Sequence, residues 1–69
     1  MTSVRINGEQ RELPPGATLE LAVRAAGAPE GGRGVAVAVD GEIVPRGAWS
    51  LTPLSDGQRV EVLQAVQGG

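Results

Sequence analysis

The chain has no cysteine, no histidine, no lysine, no phenylalanine and no tyrosine, and its single aromatic residue is Trp49. Each gap excludes something. Without cysteine and histidine, neither a disulfide nor a thiolate or imidazole metal site can brace the fold. The same gaps, with lysine and tyrosine, remove most side chains that act as general bases or covalent nucleophiles near neutral pH. An enzyme built from this inventory would depend on carboxylates. The acids Glu9, Glu12, Glu20, Glu30, Asp40, Glu42, Asp56 and Glu61 fall mainly in turns and on polar faces, where a solvated role is expected. Six arginines against eight acids give a net charge of −2 with the signs interspersed, so no basic patch forms. Nucleic-acid binding needs clustered cations and stacking rings, and both are missing. No apolar run approaches membrane-spanning length, and Met1-Thr2-Ser3-Val4-Arg5-Ile6 carries no apolar signal core, so a cytoplasmic protein without a membrane partner is expected.

What remains is a 69-residue chain rich in valine, alanine and glycine, enough for one small domain. A domain of this size buries only about 60% of the surface its unfolded chain exposes, so its aliphatic core must pack efficiently. Val4-Arg5-Ile6, Asn7-Gly8 and Glu9-Gln10-Arg11-Glu12-Leu13 predict a two-stranded hairpin. A type I′ turn needs positive φ at both central positions, which Asn-Gly tolerates best. Val4 and Ile6 are expected to face the core. Pro14-Pro15-Gly16 breaks the sheet, and Thr18 stands as an N-cap whose hydroxyl could accept from a free amide of the first turn. Leu19, Ala22, Val23 and Ala26 then recur at helical spacing, with Gly27 as a left-handed stop before Pro29.

Glu30-Gly31-Gly32-Arg33-Gly34 lacks the Lys-Ser/Thr of a phosphate loop and precedes a strand, so it reads as a flexible connection. Val35-Ala36-Val37-Ala38-Val39 is apolar on both faces, as expected of an interior strand, and Asp40-Gly41 turns it into the short strand Glu42-Ile43-Val44. Arg46 to Leu54 is read as irregular and carries Trp49. Ser55-Asp56-Gly57 leads into a last strand from Arg59 to Val66. The order strand, strand, helix, strand, short strand, strand predicts an α+β fold of the β-grasp (ubiquitin-like) kind. It has a mixed sheet of about five strands and one main helix across one face. The first and last strands would be central and parallel, with the chain leaving at a sheet edge. The β-grasp domain is expected over residues 1–66, and 67–69 form a flexible diglycine tail.

The stretch from Gly34 to Arg46, then Trp49, then Asp56-Gly57-Gln58-Arg59-Val60-Glu61-Val62, ending Ala65-Val66-Gln67-Gly68-Gly69, resembles the ThiS family. The resemblance covers essentially the whole chain. It implies a sulfur carrier of thiamin thiazole biosynthesis that is not itself an enzyme and has no catalytic side chain or metal of its own. An E1-like adenylating enzyme of the ThiF type, using MgATP and containing zinc, would activate the Gly69 carboxylate. A persulfide, from a cysteine desulfurase or the activating enzyme, would convert it to a thiocarboxylate. A thiazole synthase of the ThiG type would consume the sulfur. Carriers of the same fold serving molybdopterin, cysteine synthesis or tRNA thiolation remain alternatives, as does a β-grasp module that only docks.

On this reading Gly69 is the adenylation and thiocarboxylate site, and Gln67 and Gly68 are the residues a partner recognises in the tail. Glycines suit a narrow cleft because they have no Cβ. Ile43, Val44, Leu63 and Val66 are candidates for an apolar docking face, with core packing as their other role. Trp49 is either an anchor for the irregular segment or an interface hot spot. Arg46 and Arg59 could meet acidic partner surfaces or serve solubility.

Overall fold

A computed structural model describes residues 1–28 and 33–64. Pro29 to Gly32 of the glycine-rich connection, and Ala65 to Gly69, lie outside the described residues. The hairpin forms as its turn chemistry dictates. Strands β1 (Thr2–Ile6) and β2 (Glu9–Leu13) pair antiparallel through Asn7 at φ 52° and Gly8 at φ 85°. Helix α1 (Leu19–Ala25) follows, and β3 (Val35–Val39) and β4 (Glu42–Ile43) form a second hairpin whose turn, Asp40-Gly41, repeats the pair of positive φ angles. A 3₁₀ helix occupies Arg46–Leu51, and β5 (Arg59–Gln64) closes the sheet.

The strand order is β2-β1-β5-β3-β4, with β1 and β5 parallel and the other pairs antiparallel. This is the β-grasp topology, with the last strand in the middle. The first and last strands are central and parallel, as expected, and the chain leaves from the end of the central strand β5. A strand threaded between two hairpins can be held on both sides, which an edge strand cannot.

One face of the sheet is covered. Val4 and Ile6 of β1, Val37 and Val39 of β3, and Val60 and Val62 of β5 pack with Leu19, Ala22 and Val23 of α1 and with Trp49 and Leu54. Val4, Leu19, Val37 and Val60 are the largest side chains withdrawn fully from water, each contributing about 1.5–3 kcal/mol relative to exposure. No charged or polar residue is buried among the described residues.

Both ends of α1 use backbone partners. At the C-terminus, the Gly27 amide bonds the Arg24 carbonyl and the Ala28 amide the Val23 carbonyl, with Gly27 at φ 84°. This is a Schellman arrangement, for which glycine is the low-strain choice. At the N-terminus the expected hydroxyl cap is absent, since the Thr18 side chain makes no capping bond. Thr18 is instead drawn into an isolated bridge with Pro53, and the Leu19 amide donates to the Thr52 carbonyl at 2.8 Å. The segment after β4, read from sequence as irregular, thus supplies the acceptor a side chain was expected to supply. Its 3₁₀ turns include an Ala48-to-Pro45 backbone bond and a bond from the Thr52 hydroxyl to the Ala48 carbonyl.

Candidate functional site

The central strand is completed by polar side chains from three turns. At its start, Asp56 accepts from the Ser3 amide at 2.6 Å while the Gly57 amide donates to the Ser3 carbonyl at 2.7 Å. On the β3 side, Asp40 Oδ1 accepts from the Arg59 amide at 3.0 Å, and the Asp40 amide donates to the Arg59 carbonyl at 2.8 Å. Further along, Asn7 Oδ1 accepts from the Val62 amide at 2.8 Å and Asn7 Nδ2 donates to the Val62 carbonyl at 3.1 Å. Sequence reasoning identified Asn7 and Asp40 as turn formers and Asp56 as part of a turn. It missed that each also ties a strand, because the partners lie 19 to 55 residues away.

The second face of the sheet is left open by the described residues. Ala38 stands opposite Ile43 on one side and Glu61 on the other, and Ala36 stands opposite Leu63, so these five residues share the outer face. The expectation that β3 is interior on both sides is corrected here: Val37 and Val39 are buried, Ala36 is exposed and Ala38 half-buried. Nothing among the described residues covers that face. Ile43 and Leu63, 73% and 68% exposed, stand two strands apart, about 10 Å laterally, with the alanines as a low floor between them. Leu63 precedes Gly69 by only a few residues.

The candidate docking residues therefore separate. Ile43 and Leu63 lie together on the outer face. Val44 follows Ile43, and strand alternation turns it inward, where it packs against the core and its amide donates to the Val37 carbonyl at 2.9 Å. Trp49 is 5% exposed, its indole Nε1 donating to the Val44 carbonyl at 2.9 Å. A ring so placed offers a partner almost no surface, so Val44 and Trp49 do not extend the patch of Ile43 and Leu63. Val66, Gln67, Gly68 and Gly69 lie outside the described residues.

Beside the apolar strip, the outer face becomes cationic. Arg5 and Arg59 are register partners on β1 and β5, both exposed. A groove of about 470 Å³ runs across β5 between the two hairpin turns, lined by Arg5, Gly8, Gly41, Arg59, Glu61 and Leu63 among others. Arg5 reaches the Gly8 carbonyl at 3.3 Å. The outer face thus joins an apolar strip near the end of β5 to an arginine pair near its start, a surface suited to contact with another protein.

A β-grasp domain with one bare, partly apolar sheet face next to its outgoing central strand is the class these features define. The family model for ThiS matches residues 4–69, and the chain belongs to the ThiS family. Two solved structures share the fold closely. The crystal structure of the thiamine biosynthesis protein ThiS from Geobacter metallireducens superposes with a TM-score of 0.76 at 24% identity, covering 99% of this chain and 100% of that one. The solution NMR structure of a thiamine biosynthesis protein from the same organism gives 0.78 at 24% identity, covering 99% and 88%. No curated protein matches the chain in sequence.

Proposed function

We propose that this protein is a sulfur carrier that holds sulfur as a thiocarboxylate on Gly69 and delivers it to a thiazole synthase in thiamin biosynthesis. Membership in the ThiS family, by a match that runs through residue 69, carries this reading. The chemistry balances without any reactive side chain of the carrier. A Gly69 carboxylate oxygen attacks the α-phosphorus of ATP on an E1-like adenylating enzyme, and pyrophosphate leaves. The resulting acyl-adenylate has AMP as leaving group, which the terminal sulfur of a protein persulfide displaces at the carbonyl carbon. A thiol then cleaves the acyl disulfide, leaving the thiocarboxylate and a new disulfide. Magnesium, ATP and zinc belong to the activating partner.

The bare face with Ile43 and Leu63 supports this reading because a tail must be presented by a domain that docks beside the partner's active site. From Gln64 the chain to Gly69 spans at most roughly 16–18 Å when extended, enough to enter a cleft while the sheet stays outside. The cycle takes place in the cytoplasm, where ATP and persulfide donors occur together. The experiment is intact mass spectrometry after incubation with the adenylating enzyme, MgATP and a persulfide source. A gain of one oxygen-to-sulfur exchange, mapped by fragmentation to Gly69, is expected. A C-terminal extension that still supports thiazole formation at the normal rate would refute the proposal.

A further inference from the structure

We infer that Asn7 is a positioning residue for the tail, its side-chain amide standing in for the strand residue that β1 no longer supplies beside Val62. The inference rests on the reading that Gly69 is the reacting end. The β1–β5 register ends at the pair Ile6 and Val60, after which the Asn7 amide donates to the Val60 carbonyl at 2.9 Å and the chain turns away into the hairpin. Strand β5 continues. On the β3 side its pairing runs on to Gln64 opposite Val35. On the β1 side, Val62 is the next residue whose amide and carbonyl point outward, and without Asn7 both would face a gap.

The carboxamide fills that gap because a primary amide carries the same donor and acceptor as a peptide unit. Oδ1 takes the Val62 amide at 2.8 Å and Nδ2 gives to the Val62 carbonyl at 3.1 Å. Few other residues could do both. The backbone sits at φ 52°, where asparagine is several-fold enriched over most side chains. Aspartate tolerates the turn but has no donor and would set a carboxylate against the Val62 carbonyl. Glycine makes the turn and offers no clamp. The result is that β5 is gripped from both sides up to Val62 and by β3 alone from Leu63 to Gln64, so the side chain of a turn residue extends the two-sided grip by one pairing toward the end of the strand. A strand end held in this way loses less freedom when a partner binds the chain that follows it, which lowers the cost of binding.

The test compares Asn7→Asp and Asn7→Gly with wild type in two measurements. Amide hydrogen exchange at Val62 should quicken at least tenfold in Asn7→Gly, which removes the Oδ1 acceptor, while Val37, in the interior of β3, keeps its protection; Asn7→Asp keeps that acceptor and tests the donor half of the clamp. In steady-state adenylation by the purified E1-like enzyme, followed by pyrophosphate release, KM for the carrier should rise several-fold with kcat within twofold. Asn7→Gly separates clamp from turn, since glycine is at least as good at the turn positions. Unchanged exchange at Val62 in Asn7→Gly, a matching loss of protection at Val37, or a wild-type KM in Asn7→Asp would each overturn the inference. If wild type itself is not adenylated, the parent reading falls and takes the inference with it; if wild type turns over and Asn7→Asp equals it, the parent reading stands and only the positioning role fails.

Discussion

The indole of Trp49 donates to the main-chain carbonyl of Val44 at 2.9 Å, joining the 3₁₀ helix to the residue that follows β4. In a chain with one large ring, that bond adds to the backbone bonds and core packing that hold this segment. Trp49→Phe should keep most of the packing but leave the Val44 carbonyl without this donor, costing about 1–3 kcal/mol. Trp49→Ala should cost about 3–5 kcal/mol, because it also opens a cavity. Urea unfolding followed by far-UV circular dichroism measures both. A Trp49→Ala protein of wild-type stability that has lost only partner affinity would make the ring a hot spot instead.

Val37 is 1% exposed and packs where β3 and β5 face α1. Val37→Asp would place an unpaired carboxylate among valines, a cost of several kcal/mol against a total stability of about 5 kcal/mol expected for so small a domain. Loss of the folded circular dichroism spectrum at neutral pH is the expected result.

The outer face predicts the opposite pattern. Ile43→Asp and Leu63→Asp alter residues that water already reaches, so stability should stay within about 0.5–1 kcal/mol of wild type. Affinity for the adenylating enzyme, measured by calorimetry, should fall by about tenfold or more for each, corresponding to 1–2 kcal/mol. Retained affinity in both variants would remove this face from the docking surface.

Deleting Gly68 and Gly69 should leave stability nearly unchanged, since every buried core residue described precedes Leu63. Thermal midpoints should agree within about 2–3 °C, while sulfur loading is abolished. A loss of several kcal/mol would show that the diglycine packs against the domain.

The sequence by itself determined what local chemistry decides. Asn7-Gly8 and Asp40-Gly41 form the two hairpin turns because few other pairs accept positive φ at both positions, and Gly27 ends α1 for the same reason. The stripe of Leu19, Ala22 and Val23 fixed the buried side of the helix, and the alternation Val4, Ile6 that of β1. Only the tertiary structure decided which residues serve two purposes. The partner of the Asn7 side chain lies 55 residues away, the cap of α1 comes from Thr52 rather than Thr18, and the outward alanines of β3 lie on a face that no described helix covers. A backbone angle is a preference of one or two residues and can be read from their identity. A hydrogen bond between distant strands exists only after the chain has folded and brought its two ends into register.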